Sequence, residues 1–89
     1  MEHVQEDILV EVFPQPAHEN FQLNVVLPSM DDLTIRVFDA AGRLVDERSH
    51  SASMGLRQTY QVGNWASGIY HLEMNALGER IVKRVLVQH

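Results

Sequence analysis

Three groupings in the sequence could do chemistry: the histidines, a pair of adjacent aspartates, and a Ser-His-Ser triplet. His3, His18, His50, His71 and His89 could supply nitrogen donors to a metal. Metal ligands must converge, which on one element requires a spacing such as the helical i, i+4. These histidines are scattered, and no pair has such a spacing. No metal and no cofactor is expected. His71 reads instead as a solvent-side strand residue on the face it shares with Glu73. Asp31-Asp32 could offer oxygens to calcium or a carboxylate pair for acid–base work. A calcium loop needs several oxygen ligands at regular intervals, and none follows here. Acidic residues just after Pro28-Ser29-Met30 read as turn formers. Ser49-His50-Ser51 sets a nucleophile beside a base, but neighbours on a strand point to opposite faces. There is no cysteine, which removes disulfides, thiolate metal sites and cysteine nucleophiles. The expectation is a protein that is not an enzyme.

The aromatic residues raise a different chemistry, stacking on sugar rings. Among Phe13, Phe21, Phe38, Tyr60 and Tyr70 most fall in apolar strand patterns, for which core packing is expected. Trp65 lies in a loop and is the best candidate for an exposed platform. Its other reading is a plug closing one end of a sandwich.

Something must position these residues, and the chain is short. At 89 residues it makes one domain, which hides about 60–65% of the surface its unfolded form exposes. A composition of 45% hydrophobic and 21% charged residues is that of a globule rather than a disordered tail. The net charge of −5 argues against non-specific nucleic-acid binding, which needs a cationic surface. No basic amphipathic helix is available for membrane docking, and no apolar run approaches the roughly 20 residues of a membrane span. No direct membrane insertion is expected. The start, Met1-Glu2-His3, is polar and acidic and does not resemble a secretory leader. Residues 1–7 are expected to be a flexible linker, and 8–89 the folded domain.

Apolar residues alternate with polar ones along nearly the whole chain, the period of half-buried antiparallel strands. Seven short strands are expected. The first three are 8–13, Phe21 to Leu27, and Leu33 to Phe38. The rest are Leu44 to Arg48, Leu56 to Val62, Ile69 to Asn75, and Arg80 to Gln88. Turn residues separate them. Pro28 to Asp32 is read as one turn, Ala40-Ala41-Gly42-Arg43 as a tight hairpin, and Ala76-Leu77-Gly78 as another. Gly63 to Ser67 has room for one helical turn. Pro14 and Pro16 must end the first strand, because proline cannot donate to a ladder. They mark either a crossover between the layers of a sandwich or a plain loop. The fold class expected is all-β, an immunoglobulin-like antiparallel β-sandwich.

The last strand is unusual. Lys83 and Arg84 stand side by side within Arg80-Ile81-Val82-Lys83-Arg84-Val85-Leu86-Val87. Cations on adjacent positions face opposite sides, so neither face is cleanly apolar. That suits an edge strand guarded by charge against unwanted pairing. It also suits a terminal basic–apolar signature offered to a receptor.

Four motifs now stand in order. They are Pro14, Pro16 and Ala17; then Asp39, Gly42, Arg43, Leu44 and Val45; then Ser67, Gly68, Ile69 and Tyr70; then Lys83, Val85, Leu86 and Val87. In this order and spacing, over about Val10 to Val87, the chain resembles the type A C-terminal sorting domain of the type IX (Por) secretion system. Gln15 stands where that family usually has asparagine, and Trp65 where leucine is common. The resemblance implies an address label joined to an N-terminal cargo protein. It implies passage through the periplasm and across the outer membrane to the cell surface or medium. Translocon and shuttle components would read the label, and a surface sortase would remove it. Gly42 and Gly68 are assigned to backbone geometry and Tyr70 to the core. The polar start fits a piece from the end of a longer chain. The rival functions are a carbohydrate-binding or adhesive sandwich and a structural linker domain.

Overall fold

The computed structural model describes residues 8–89. The expected linker over 1–7, with His3, lies outside the described residues. The alternating segments form five strands: β1 (Leu9–Phe13), β2 (Asn20–Phe38), β3 (Leu44–Gln61), β4 (Gly68–Ala76) and β5 (Glu79–Val87). They pair antiparallel in the order β1-β2-β4-β5, with β3 along the other side of β2.

The expected count of seven is therefore corrected to five. Two expected strands are the halves of β2, and two more lie in the halves of β3. The turn residues from Pro28 to Asp32 do not end β2, because β3 runs beside them and stays paired on both sides. The register slips instead, between Val26 and Asp31 and again between Asp31 and Leu33. Such a bulge bends a strand without terminating it. Pro28 has no N–H, and a slipped register is where a strand tolerates that loss.

The two aspartates also change role. Asp32 Oδ1 accepts the Ala52 N–H at 3.1 Å and Asp31 Oδ2 accepts the Leu77 N–H at 2.6 Å. They tie the bend to β3 and to the β4–β5 hairpin rather than closing a turn of their own. On β3, Gly55 adopts φ 137°, and a Cβ there would stand 2.1 Å from the Val25 carbonyl oxygen. Only glycine lets the two backbones approach this closely.

The bend builds a sandwich. The first half of β2, with β1 and the end of β3, makes one wall. The second half of β2, with the start of β3, β4 and β5, makes the other. Odd positions of β2 are buried on both sides of the bend, Phe21, Leu23, Val25 and Leu27 before it and Leu33, Ile35 and Val37 after it. They meet Tyr60, Val62, Tyr70, Leu72, Met74, Val85 and Val87 in one apolar cluster. Each large side chain removed from water there contributes about 1.5–3 kcal/mol before entropy is counted. The all-β, immunoglobulin-like class expected from the alternation is the fold observed.

Candidate functional site

Asp39 organises the β2–β3 hairpin. Its Oδ1 accepts the N–H groups of Ala41 and Arg43, both at 2.9 Å, and its Oδ2 accepts Arg43 Nε at 3.1 Å. The backbone closes the same loop, with Asp39 N–H donating to Arg43 O and Gly42 N–H to Asp39 O, each at 2.9 Å. Gly42 adopts φ 85°. An aspartate satisfying two loop amides, followed by a residue able to take positive φ, is the physical content of this motif. The bond from the Arg43 amide is the leading cause that holds the Asp39 carboxyl below the usual carboxylate range, and the Arg43 guanidinium adds to it.

The β3–β4 connection is one hydrogen-bonded turn, Trp65 N–H to Val62 O at 3.0 Å, rather than a helix. Trp65 is half-buried, with ring centroids 4.9 Å from Tyr70, 6.1 Å from Phe21 and 6.3 Å from Tyr60. It is the plug, edge-on to Phe21 and tilted against Tyr60 and Tyr70, and not a flat platform. Tyr70 is buried, and its hydroxyl donates to Ala66 O at 2.6 Å, pinning this connection to β4. Gly68 opens β4 with φ 152°.

The segment Pro14–Ala17 resolves the question the prolines raise: it crosses from β1 to the outer edge of β5. Ala17 N–H donates to Leu86 O at 2.8 Å, and Gln88 N–H donates to Ala17 O at 2.9 Å, a parallel bridge. Between two prolines that have no N–H, the Gln15 side chain supplies what the backbone lacks. Its Nε2 donates to Arg84 O, and its Oε1 accepts the Leu86 N–H, both at 3.2 Å. The amide thus imitates one more strand residue. His18 Nδ1 lies 2.6 Å from Gln88 O. His89 donates its N–H to Ser67 Oγ at 3.0 Å and places Nε2 2.7 Å from Trp65 O.

The four motifs therefore come together in pairs. Asp39, Arg43, Ser67, Gly68, Ile69 and Tyr70 line one shallow depression of about 250 Å³. Gln15, Ile69, Arg84, Val85 and Leu86 line a second of about 330 Å³. Ile69 belongs to both and joins them. Within the last motif, Val85 and Val87 are fully buried, whereas Lys83, Arg84 and Leu86 are exposed.

Two features escaped sequence reasoning. The Gln15 pairing joins residues at opposite ends of the chain, and no local signal announces it. A charge ladder crosses the outer face of the second wall. Arg36 on β2 pairs with Glu47 on β3 and, at 3.4 Å, with Glu73 on β4, while Arg80 on β5 reaches Glu73 at 3.3 Å. The even–odd pattern put Arg36 and Glu73 on wet faces; only the register brought Glu47 and Arg80 to them.

A family model described as "Secretion system C-terminal sorting domain" matches residues 11–88. No curated protein matches the sequence. Among solved structures, the chain is similar to part of dimeric latent PorU from Porphyromonas gingivalis, with TM-score 0.67 and 17% identity. That match covers 88% of this chain and 9% of the PorU chain, so the likeness is one of fold over a small part of a much longer protein.

Proposed function

The chain belongs to the family of type IX secretion C-terminal sorting domains, and on that premise we propose that it directs an attached N-terminal cargo protein across the outer membrane. The cargo passes through the periplasm, the domain is read by translocon and shuttle components, and a surface sortase then removes it. The domain acts as a folded label, and its residues bind rather than catalyse.

One observation carries the reading. Pro14–Ala17 is laid against Leu86–Gln88, so the first and last family motifs form a single hydrogen-bonded edge. A receptor meets a preformed surface and little has to become ordered on binding. The same contact explains why cutting off the end is an ambiguous test. Deleting Lys83 to His89 removes the buried Val85 and Val87 as well as any recognition residue.

The cleaner test fuses residues 1–89 behind a reporter with a periplasmic leader. Surface delivery is compared in strains with and without a working type IX system. Delivery in the first strain alone is expected. Equal delivery, or none in either, refutes the reading.

A further inference from the structure

The edge of β5 is closed over only half its length. Leu86 turns both its N–H and its C=O outward, to Gln15 and Ala17. The β4–β5 register runs without a slip, so the alternate residues Arg84, Val82 and Arg80 turn the same way. The Arg84 C=O is taken by Gln15. Among the described residues, no backbone partner meets the Arg84 N–H or the N–H and C=O of Val82. From Arg80 to the Arg84 N–H, the described residues leave this edge unpaired, and an unpaired edge is a template for another strand.

The side chains narrow what can pair there. Lys83 stands on the core-facing side of β5, opposite the buried Leu72, yet is itself exposed. An inward-pointing cation on an edge strand obstructs indiscriminate pairing. Arg84 points to the opposite face. Among the described residues neither Lys83 nor Arg84 forms an ion pair. Two cations with no ion pair among the described residues, on a chain of net charge −5, mark this edge out as locally basic. A second copy of this edge would bring like charges together, which opposes self-pairing.

We propose that the open edge from Arg80 to Arg84 receives an extended acidic strand from a protein of the export apparatus. The strand adds to β5 in line with Pro14–Ala17 and carries carboxylates on successive positions, one for Lys83 and one for Arg84. The backbone supplies affinity and the charge pattern selects the partner. This rests on the sorting reading and names the surface and the partner chemistry.

The test uses the reporter fusion, with wild-type export as the reference for the sorting reading itself. Val82→Pro removes the outward N–H and leaves the bonds to β4 intact, as proline is tolerated on the solvent side of an edge. Val82→Ala keeps that N–H. The Lys83→Glu/Arg84→Glu double variant reverses the charge. Folding of each is followed by Trp65 fluorescence during thermal unfolding. The expected result is export within twofold of wild type for Val82→Ala. For Val82→Pro and the double variant the expected loss is about tenfold or more, at unchanged folding. Should Val82→Pro fail to fold, the double variant decides.

Wild-type export with an equally exported, folded Val82→Pro overturns the proposal and leaves the sorting reading standing. So does equal export of the double variant, or a loss in Val82→Ala matching that in Val82→Pro. A wild-type dimer in solution that Val82→Pro converts to monomer also overturns it, because the occupant is then a second copy.

Discussion

The Arg48 guanidinium lies over the ring of Tyr60, 4.9 Å from its centroid, although both residues belong to β3. A straight strand rises about 3.3 Å per residue and would hold them roughly 40 Å apart. Their contact is the direct sign that β3 folds back over the core. It stacks a cation on an aromatic ring that is buried from the other side by Phe21, at 4.9 Å. Replacing Arg48 by alanine removes this cation–π contact and the stem that covers the ring. The expected cost is about 1–2 kcal/mol in urea unfolding, with Arg48→Lys intermediate.

Tyr60 makes a sharper case. Burial, with the nearby Asp46 charge adding, pushes its phenol up to about 12. Its hydroxyl is buried and, among the described residues, has no hydrogen-bond partner. The folded state thus resists ionisation more than the unfolded state does, whose tyrosines titrate near 10. The stability this contributes is whole below pH 10 and is lost as pH rises from about 10 to about 12. An absorbance titration of the phenolate should show this late step, and Tyr60→Phe should abolish it. Because the lost hydroxyl leaves nothing unpaired, that variant should be neutral or up to about 1 kcal/mol more stable at neutral pH.

Two glycines should separate cleanly. At Gly55 an added Cβ meets the Val25 backbone at 2.1 Å, and backbone cannot swing aside as a side chain can. Gly55→Ala should cost about 3 kcal/mol or more, or prevent folding, because the β2–β3 bend must open. At Gly42 nothing lies within 4 Å of the built position. Gly42→Ala meets only the penalty of positive φ, about 1 kcal/mol. Denaturant midpoints of the two variants test the contrast.

Asp39 predicts an acid limb. Its carboxyl is held low chiefly by the Arg43 amide, so it contributes stability above the unfolded carboxylate range. That contribution disappears as pH falls through the lowered folded value. Asp39→Ala should melt at a lower temperature than wild type at neutral pH. Its melting temperature should also fall less between pH 5 and pH 2, narrowing the gap. A gap that is constant with pH would mean the carboxylate does not act through charge.

The Gln15 bridge should be visible in hydrogen exchange. Gln15→Leu leaves the chain crossing in place but deprives the Leu86 N–H of its acceptor. The Leu86 amide should then exchange at least about tenfold faster, while amides of β4 keep their protection.

Much of this molecule was legible in its residue order. Alternation assigned Phe21, Leu23, Val25, Ile35, Val37 and Leu72 to one side of their strands, and they are in the core; on the last strand, where neither face reads as apolar, only the fold shows that Val85 and Val87 are buried. Asp39 and Gly42 announced a hairpin, because the chemistry of a tight turn is contained within it. What local chemistry cannot decide is whether turn-forming residues actually turn. The run from Pro28 to Asp32 has the composition of a loop, yet it continues β2 because β3 stays paired beside it and the bulges absorb the misfit. The joining of Gln15 to Leu86, and the Glu47–Arg36–Glu73–Arg80 ladder, were equally out of reach. Face and turn propensity are properties of a few neighbouring residues. Register between distant strands is set when burying the shared core selects one alignment, and only the folded chain contains that information.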